Sequence, residues 1–247
     1  MIRQARLIAI ALASLLSVPA AAQYGPPAPR QDVPQGNTTP APQAPATAAP
    51  RADVLRAAVC VAGRDSGAAD ALLATAPYSN DERTRAVQLL RTAERCLRLR
   101  SPIATSALLF RGAIAETLYE TRFAQPAAAR TPAALASPFF RAADVTGRDD
   151  AALLATSFDL AQCAAPRQPD LVRALLSTEP GSEAETAALT ALYPGFGACV
   201  PTGTQLRVDR GSVRAMLAES LYRWSVVQRD GAASPWAAPA VAAAPAQ

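Results

Sequence analysis

Apolar residues recur along most of this chain at intervals of three and four, the spacing of a helix with one buried face. The clearest stripe covers positions 110, 113, 114, 117, 118 and 121, which are Phe, Ala, Ile, Thr, Leu and Thr. A second stripe, at positions 213, 216, 217, 220, 221 and 224, reads Val, Met, Leu, Ser, Leu and Trp. Strand-length alternation of apolar and polar residues is absent from the sequence. The pattern predicts an all-α protein in which Trp224 is substantially buried.

The two stripes belong to a longer repeat with an offset of 103 positions. Residues 58–119 align with residues 161–222 without a gap, and 18 of the 62 pairs are identical. Chance identity in so alanine-rich a chain is about one in ten. We interpret the chain as a tandem duplication. We expect two homologous units of about four short helices each, packed together with a pseudo-twofold relation.

Start and stop signals divide both units into the same elements. First helices are expected over residues 52–62 and from Asp149 or Asp150 to residue 165, and second helices over residues 67–75 and 169–178. Third helices start with the S-x-x-E capping boxes at Ser79 and Ser182, and fourth helices follow Ser106 and Asp209 as N-caps. In the second unit, the sequence Tyr-Pro-Gly-Phe-Gly at positions 193–197 is expected to end the third helix early.

The flanking sequence predicts an exported chain. Residues 1–22 are typical of a signal peptide, with Arg3 and Arg6 before an apolar run and three alanines at the cleavage site. Residues 23–50 are expected to be a disordered, proline- and alanine-rich spacer, and residues 229–247 a disordered tail of similar composition. Between them we assign the two units to residues 51–123 and 149–228. The linker at 124–148 is expected to pack locally through Phe139 and Phe140.

Charge and composition exclude several classes of function. All 24 basic residues are arginine, there are 20 acids, and histidine is absent. Without Arg3 and Arg6, 22 arginines face 20 acids, too balanced a charge to favour nucleic acid. The absence of histidine removes the commonest general base and metal ligand. We expect no cofactor, no metal ion and no transmembrane segment after removal of the signal peptide.

Four cysteines occupy equivalent positions in the two units. They predict one disulfide per unit, Cys60 to Cys96 and Cys163 to Cys199, each spanning 36 residues. Structural zinc is the competing interpretation. It is disfavoured because the chain offers neither a C-x-x-C pair nor a histidine.

One polar constellation recurs on the fourth helix of both units. It consists of Arg111, Glu116 and Tyr119 in the first unit and of Arg214, Glu219 and Tyr222 in the second. These side chains fall opposite the apolar stripe, spread over roughly 140°. Arginine and glutamate five positions apart are badly placed to pair on one helix. We expect this Arg/Glu/Tyr face to join the units, with Arg111 paired to Glu219 and Arg214 to Glu116. The alternatives are a cleft for an anionic ligand or divalent ion, and a catalytic site.

These features predict a secreted or periplasmic structural or interaction module of the bacterial cell envelope. The exclusive use of arginine with abundant alanine is typical of a GC-rich bacterial genome. The partner would be an envelope protein or a cell-wall component, and the sequence makes no prediction of the oligomeric state. The alternative is a hydrolase of cell-wall polymer with Glu116 or Glu219 as general acid/base. Closed, arginine-paired glutamates favour the module, whereas an open glutamate with a raised pKa favours the enzyme.

Overall fold

A computed structural model describes residues 50–98, 102–123, 135–145, 147–200 and 208–238. Within these ranges the chain forms eight α-helices and no strand, which confirms the all-α prediction. The helices are α1 (Arg51–Arg64), α2 (Ser66–Leu73), α3 (Asn80–Leu97), α4 (Ala107–Arg122), α5 (Ala151–Arg167), α6 (Pro169–Leu176), α7 (Glu183–Phe196) and α8 (Arg210–Asp230). None of the described helices is long and apolar enough to cross a membrane.

The helices α4 and α8 form the centre of the fold and pack along each other. Around them, α1 lies against α3 and α4, and α5 lies against α8. The short helix α2 contacts α3 and α4, and α6 contacts α7 and α8. Because the central helices are covered from several sides, most of their residues are buried, including polar ones.

The predicted apolar stripes lie in the core except at Thr121, Trp224 and Val213, the last of which is partly buried. Phe110 and Ile114 are fully buried, whereas Thr121 is exposed. Trp224, which we expected to be substantially buried, is only partly buried at the edge of the core.

The helix starts follow the capping signals in the sequence. Ser79 and Ser182 each accept a hydrogen bond at 3.1 Å from the backbone N–H of the glutamate three residues later. Ser106 and Asp209 cap α4 and α8 in the same way, at 3.2 and 3.0 Å. At α5 the N-cap residue is Asp150, whose carboxylate accepts no cap bond and pairs with Arg148 instead.

As predicted, α7 ends earlier than α3. It continues through Pro194 but stops at Phe196, within positions 193–197, whereas α3 extends to Leu97, which aligns with position 200. A proline removes only its own N–H from the helical ladder, so tertiary contacts can hold the last turn. Here the side chain of Gln168 fills the space that a Cβ at Gly195 would need, and its Nε2 donates to the carbonyl of Leu192 at 3.5 Å.

Both predicted disulfides are present in the structure. Cys60 of α1 bonds Cys96 of α3, and Cys163 of α5 bonds Cys199, just after α7. The Cα atoms are 6.4 and 5.7 Å apart. Each bridge should stabilise the fold by about 3 to 4 kcal/mol in the chain-entropy account.

The aromatic pair of the linker packs on the second half of the chain. The rings of Phe139 and Phe140 lie 4.6 and 5.4 Å from the ring of Phe158 on α5, between centroids. The N–H of Phe139 also donates to the carboxylate of Asp159 at 2.8 Å. Residues 135–145 therefore contribute to the core, since both phenylalanines are buried.

Of the tail that we expected to be disordered, residues 229–247, the structure describes the part up to Ala238, and this part packs on the helices. The ring of Trp236 lies edge-on to Tyr222 at 5.7 Å between centroids, and Ala237 forms an isolated bridge with Leu135. One indole provides the apolar contact area that the surrounding alanines and prolines lack. The signal peptide, residues 23–49 of the spacer and residues 239–247 of the tail lie outside the described residues.

This contact gives a first test. A chain that ends at Asp230 should have a free energy of unfolding roughly 2 kcal/mol lower than a chain that ends at Ala238, because it loses the half-buried Trp236. Urea unfolding of the two truncated proteins measures the difference. Equal stability would mean that residues 231–238 add nothing to the fold.

Candidate functional site

The six residues of the Arg/Glu/Tyr face lie on α4 and α8, and all are buried. The structure places Arg111 against Glu219 and Arg214 against Glu116. Each ion pair connects α4 with α8, and each draws in residues from other helices. We call the four charged residues, together with Glu82 and Glu185, the arginine–glutamate centre.

Arg111 has no exposed surface and makes seven hydrogen bonds. Its Nε and Nη2 donate to the two carboxylate oxygens of Glu219, each at 2.6 Å. Four further bonds of 2.7 to 3.1 Å reach the carbonyls of Leu72, Leu73 and Thr75 and the hydroxyl of Thr75. The seventh bond joins Nη1 to Glu82 at 3.3 Å.

Arg214 makes an equivalent set of seven hydrogen bonds. Each of its acceptor residues lies 103 positions from the corresponding acceptor of Arg111. Its Nε and Nη2 donate to Glu116 at 3.0 and 2.6 Å. The carbonyls of Leu175, Leu176 and Thr178 and the hydroxyl of Thr178 accept at 2.9 to 3.1 Å. Glu185 accepts at 3.4 Å.

The position of both guanidinium groups follows from the short helices α2 and α6. The last carbonyls of a helix have no partner within it, and the helix dipole makes that end attractive to a cation. Each arginine satisfies carbonyls at one such end and also holds a carboxylate in bidentate geometry. Each side chain therefore fixes the end of a short helix against both central helices.

The sequence analysis missed two members of the centre, Glu82 and Glu185. It assigned them to capping boxes, where their carboxylates would bind the N-cap amide. The structure shows them accepting from the preceding amides instead, those of Tyr78 at 2.5 Å and Gly181 at 2.9 Å, while the other oxygen faces the arginine. Both glutamates are buried. Their recurrence at matching positions was the available signal, but a cap function already explained it.

Arg223 is a further member that sequence reasoning did not identify. Its guanidinium lies 2.7 Å from Glu219, and its Nη2 donates to the carbonyl of Leu73 at 2.9 Å. It also lies over the ring of Phe139, 3.8 Å from the centroid. Burial lowers the pKa of Arg223 to about 10. The residue 103 positions before Arg223 is not an arginine but the exposed Glu120.

The two tyrosines of the face have different surroundings. The hydroxyl of Tyr222 donates to Asp70 at 2.8 Å, and Arg122 pairs with the same carboxylate at 2.8 Å. Tyr119 instead lies beside Arg173. Asp70 and Arg173 are themselves 103 positions apart, so equivalent tyrosines meet opposite charges. Burial raises the pKa of both tyrosines.

The two central glutamates differ in the same way. Glu219 faces the guanidinium groups of Arg111 and Arg223, and although burial opposes ionisation, these two charges hold its pKa below the ordinary value of 4.5. Glu116 faces one arginine only. Burial raises its pKa above 4.5, Arg214 counteracts this in part, and the nearby charge of Glu185 adds to the rise.

These directions predict opposite responses to pH. The stabilisation from Glu219 should be fully present above pH 4.5 and should be lost as pH falls through its lowered folded-state pKa. The contribution of Glu116 should be fully present below pH 4.5 and should decline as pH rises through its raised pKa. Urea unfolding of the wild type, Glu116→Gln and Glu219→Gln between pH 3 and about 7 measures this. Differences from the wild type that move in the same direction would contradict it.

Space for a substrate is scarce at the centre. A cavity of about 30 Å³ lies beside Glu116 and Arg214, close to Gly112 and Ala215. This is room for about one water molecule. In the part of the chain that the structure describes, no group of cysteine, aspartate or glutamate residues is arranged to hold a metal ion.

The geometry of the centre suits cohesion between helices better than chemistry on a bound molecule. Its carboxylates are saturated with guanidinium and amide donors, and its guanidinium groups are saturated with oxygen acceptors. Comparison with known proteins adds no relative, because no family model matches the chain and no curated protein or solved structure matches it significantly.

Proposed function

We propose that this protein is an exported, disulfide-stabilised helical module of the bacterial cell envelope. It would consist of two homologous units joined through the arginine–glutamate centre, and it would act by binding rather than by catalysis. The observation that carries the proposal is the state of the two central glutamates. Glu116 and Glu219 are 3% and 1% exposed, and each is held by an arginine through two hydrogen bonds.

Duplication is supported by the detail in which the two halves agree. The seven bonds of Arg111 recur at Arg214 with the same atoms and with acceptors shifted by 103 positions. The central ion pairs are reciprocal. Arg111 of α4 pairs with Glu219 of α8, and Arg214 of α8 pairs with Glu116 of α4. Such an exchange is what a twofold relation between two copies produces.

Export is supported by the cysteines and by the start of the sequence. Disulfides form and persist in oxidising compartments, which for a bacterium are the periplasm and the outside of the cell. All four cysteines are paired in the structure. The predicted signal peptide over residues 1–22 would direct the chain there.

The alternative function, hydrolysis of cell-wall polymer, needs a carboxyl group that reaches the glycosidic or peptide bond. The pKa of Glu116 is raised, as a general acid requires, but its carboxylate is held by Arg214, and the cavity of about 30 Å³ beside it is too small for a sugar or a peptide. The raised pKa alone is therefore weak support for an enzyme, since buried structural glutamates show it too.

The proposal is tested with the mature chain, starting at Gln23, and purified envelope fractions. Isolated peptidoglycan and outer-membrane vesicles are each incubated with the protein and sedimented. We expect saturable co-sedimentation with one of them and no release of soluble fragments above a protein-free control. Fragment release that disappears in Glu116→Gln or Glu219→Gln would show a hydrolase, and failure to bind either fraction would also contradict the proposal.

A further inference from the structure

Two cavities on the helical bundle differ in whether the chain covers them. The first, of about 280 Å³, lies under residues 135–145 and the chain after α8, and we call it the covered cavity. The second, of about 710 Å³, lies beside α1 and the end of α6, and we call it the open groove. Each cavity is lined by residues from both halves of the sequence, and their walls are related.

Every helix or helix-end residue that lines the covered cavity has its counterpart, 103 positions away, in the lining of the open groove. The pairs are Ala74 with Ser177, Thr75 with Thr178, Ala76 with Glu179, Gln162 with Val59, and Arg223 with Glu120. The other residues of the covered cavity belong to the segments that cover it. The open groove is therefore the site that corresponds to the covered cavity when the two units are exchanged, and none of the described residues that line it belongs to the segments 135–145 and 231–238.

The covered cavity shows what this site accepts. The segment of residues 135–145, which contains a bend and the 3-10 turn Ala142–Asp144, crosses it, with Phe139 and Phe140 packed on Phe158. Two helix side chains hold its backbone, Asp159 accepting from the N–H of Phe139 at 2.8 Å and Gln162 donating to a carbonyl at 2.6 Å. The guanidinium of Arg223 lies over the rings of Phe139 and Trp236. The occupant is thus a peptide segment with large apolar side chains.

The open groove keeps the apolar floor but has carboxylates where the covered cavity has a guanidinium and a methyl group. Its lining also includes Arg56, whose charge is balanced by an ion pair with Asp53. Its wall includes Leu55, Leu97 and Val59, and Val59 is 52% exposed, unusually open for an apolar residue. Glu120 stands where the covered cavity has Arg223, and Glu179 stands where it has Ala76. The face of an aromatic ring is electron-rich, so it is attracted by the guanidinium of Arg223 in the covered cavity. In the open groove the carboxylate of Glu120 would repel it. A basic side chain would be attracted there.

We propose that the open groove binds a peptide segment of a partner protein, with a large apolar side chain over Leu55 and Val59 and an arginine or lysine facing Glu120 and Glu179. The proposal rests on the proposed function, because it assigns the binding surface of the module. It also needs the repeat relation between the two halves, from which the counterpart positions are derived. Peptide recognition of this kind combines apolar pockets with a few charged contacts that give specificity.

The test uses the mature chain from Gln23, immobilised through its C-terminus, and a phage library of random heptapeptides. We expect the selected sequences to combine an aromatic or large aliphatic residue with a nearby arginine or lysine. The selected peptides are then synthesised with a fluorescent label, and their dissociation constants are measured by anisotropy at 50 mM and about 300 mM salt.

A charge-swapped variant locates the binding site. Glu120→Arg combined with Glu179→Ala gives the open groove the residue types of the covered cavity, and it should weaken binding of the selected peptides at least about tenfold. The matched control is Glu183→Arg combined with Asp149→Ala, which makes the same change of net charge at exposed positions outside the groove. The control should bind with less than about a threefold change.

Three outcomes would overturn the proposal. Selected peptides without a basic residue, or peptides that bind the charge-swapped variant as well as the control, would place recognition elsewhere. Selection of no peptide would mean that another part of the chain or another ligand fills the groove. Self-association of the mature chain that Val59→Arg abolishes would identify a second copy as the occupant. None of these outcomes alters the result of the sedimentation test, so the two proposals fail separately.

Discussion

Replacing Glu219 with glutamine should lower the free energy of unfolding by about 3 to 5 kcal/mol, the cost of removing one partner from a buried ion pair. The carboxylate of Glu219 is the counter-charge of both Arg111 and Arg223, and all three side chains are buried. Glutamine keeps the shape of the side chain but removes the negative charge. Two buried guanidinium groups would then lack their main compensating charge.

Glu116→Gln should cost less, because Glu116 faces Arg214 alone and its ionised form is disfavoured by burial. Glu183→Gln provides the control for the chemical change itself. Glu183 is an exposed glutamate in the first turn of α7, and its replacement should cost under about 1 kcal/mol. The expected order of destabilisation is therefore Glu219→Gln, then Glu116→Gln, then Glu183→Gln.

Removing the arginine as well should restore only part of the loss. In a simple buried pair, replacing both partners by apolar residues of similar volume is often neutral. Arg111, however, also donates to the carbonyls of Leu72, Leu73 and Thr75, and Arg111→Met would remove a hydrogen bond from each of them. The carbonyls of Leu72 and Leu73 keep bonds from Thr75 and Arg223, whereas the carbonyl of Thr75 loses its bond from Arg111. Adding Arg111→Met to Glu219→Gln should therefore recover less than half of the lost stability.

Urea denaturation monitored by circular dichroism measures all of these variants under one set of conditions. If Glu219→Gln were as stable as the wild type, the structural role of the arginine–glutamate centre would be refuted. An accessible binding site on the Arg/Glu/Tyr face would then be the favoured interpretation. Full recovery in the double variant would show that the carbonyls at the end of α2 find other partners.

Much of the helical framework was predictable from the sequence because its signals are local. The capping serines Ser79 and Ser182 mark helix starts through bonds to amides three residues away. The apolar stripes identify the faces of α4 and α8 that enter the core. The cysteine spacing predicted both disulfides because a matching separation in two copies leaves one simple pairing.

The parts that sequence reasoning missed depend on contacts between distant segments. Glu82 was assigned a cap function, and nothing in its local pattern indicates that its second oxygen faces Arg111. The residue 103 positions before Arg223 is not an arginine, so a search for recurring residues passes over it. Trp236 stands alone in sequence of tail-like composition, and its position against Tyr222 depends on where α8 ends.

The close approach of the two central helices, α4 and α8, was also not predictable from the sequence. Gly112 has no unusual backbone angle, and in the sequence it looks like a weak point in a helix. In the structure a Cβ at position 112 would lie 2.3 Å from the Cβ and 2.4 Å from the Cα of Ala215. The absence of a side chain at this position is what allows the two helices to approach so closely.

Gly112→Ala should therefore destabilise the protein by about 3 kcal/mol, the upper range for overpacking a core, although alanine is the better helix former. The control is Gly63→Ala in α1, where nothing lies within 4 Å of the added Cβ. That change should stabilise the protein by about 0.5 to 1 kcal/mol through helix propensity.

The reverse exchange at the partner position separates a side-chain clash from a backbone clash. Ala215→Gly removes the Cβ of Ala215 but leaves its Cα in the way, so adding it to Gly112→Ala should restore only a small part of the loss. Urea unfolding of the two glycine variants and of the double variant provides the measurement. If Gly112→Ala were as stable as Gly63→Ala, α4 and α8 would have to lie farther apart. The bidentate pairs on either side of the crossing, Arg111 with Glu219 and Arg214 with Glu116, would then be too long to hold, because both depend on this separation.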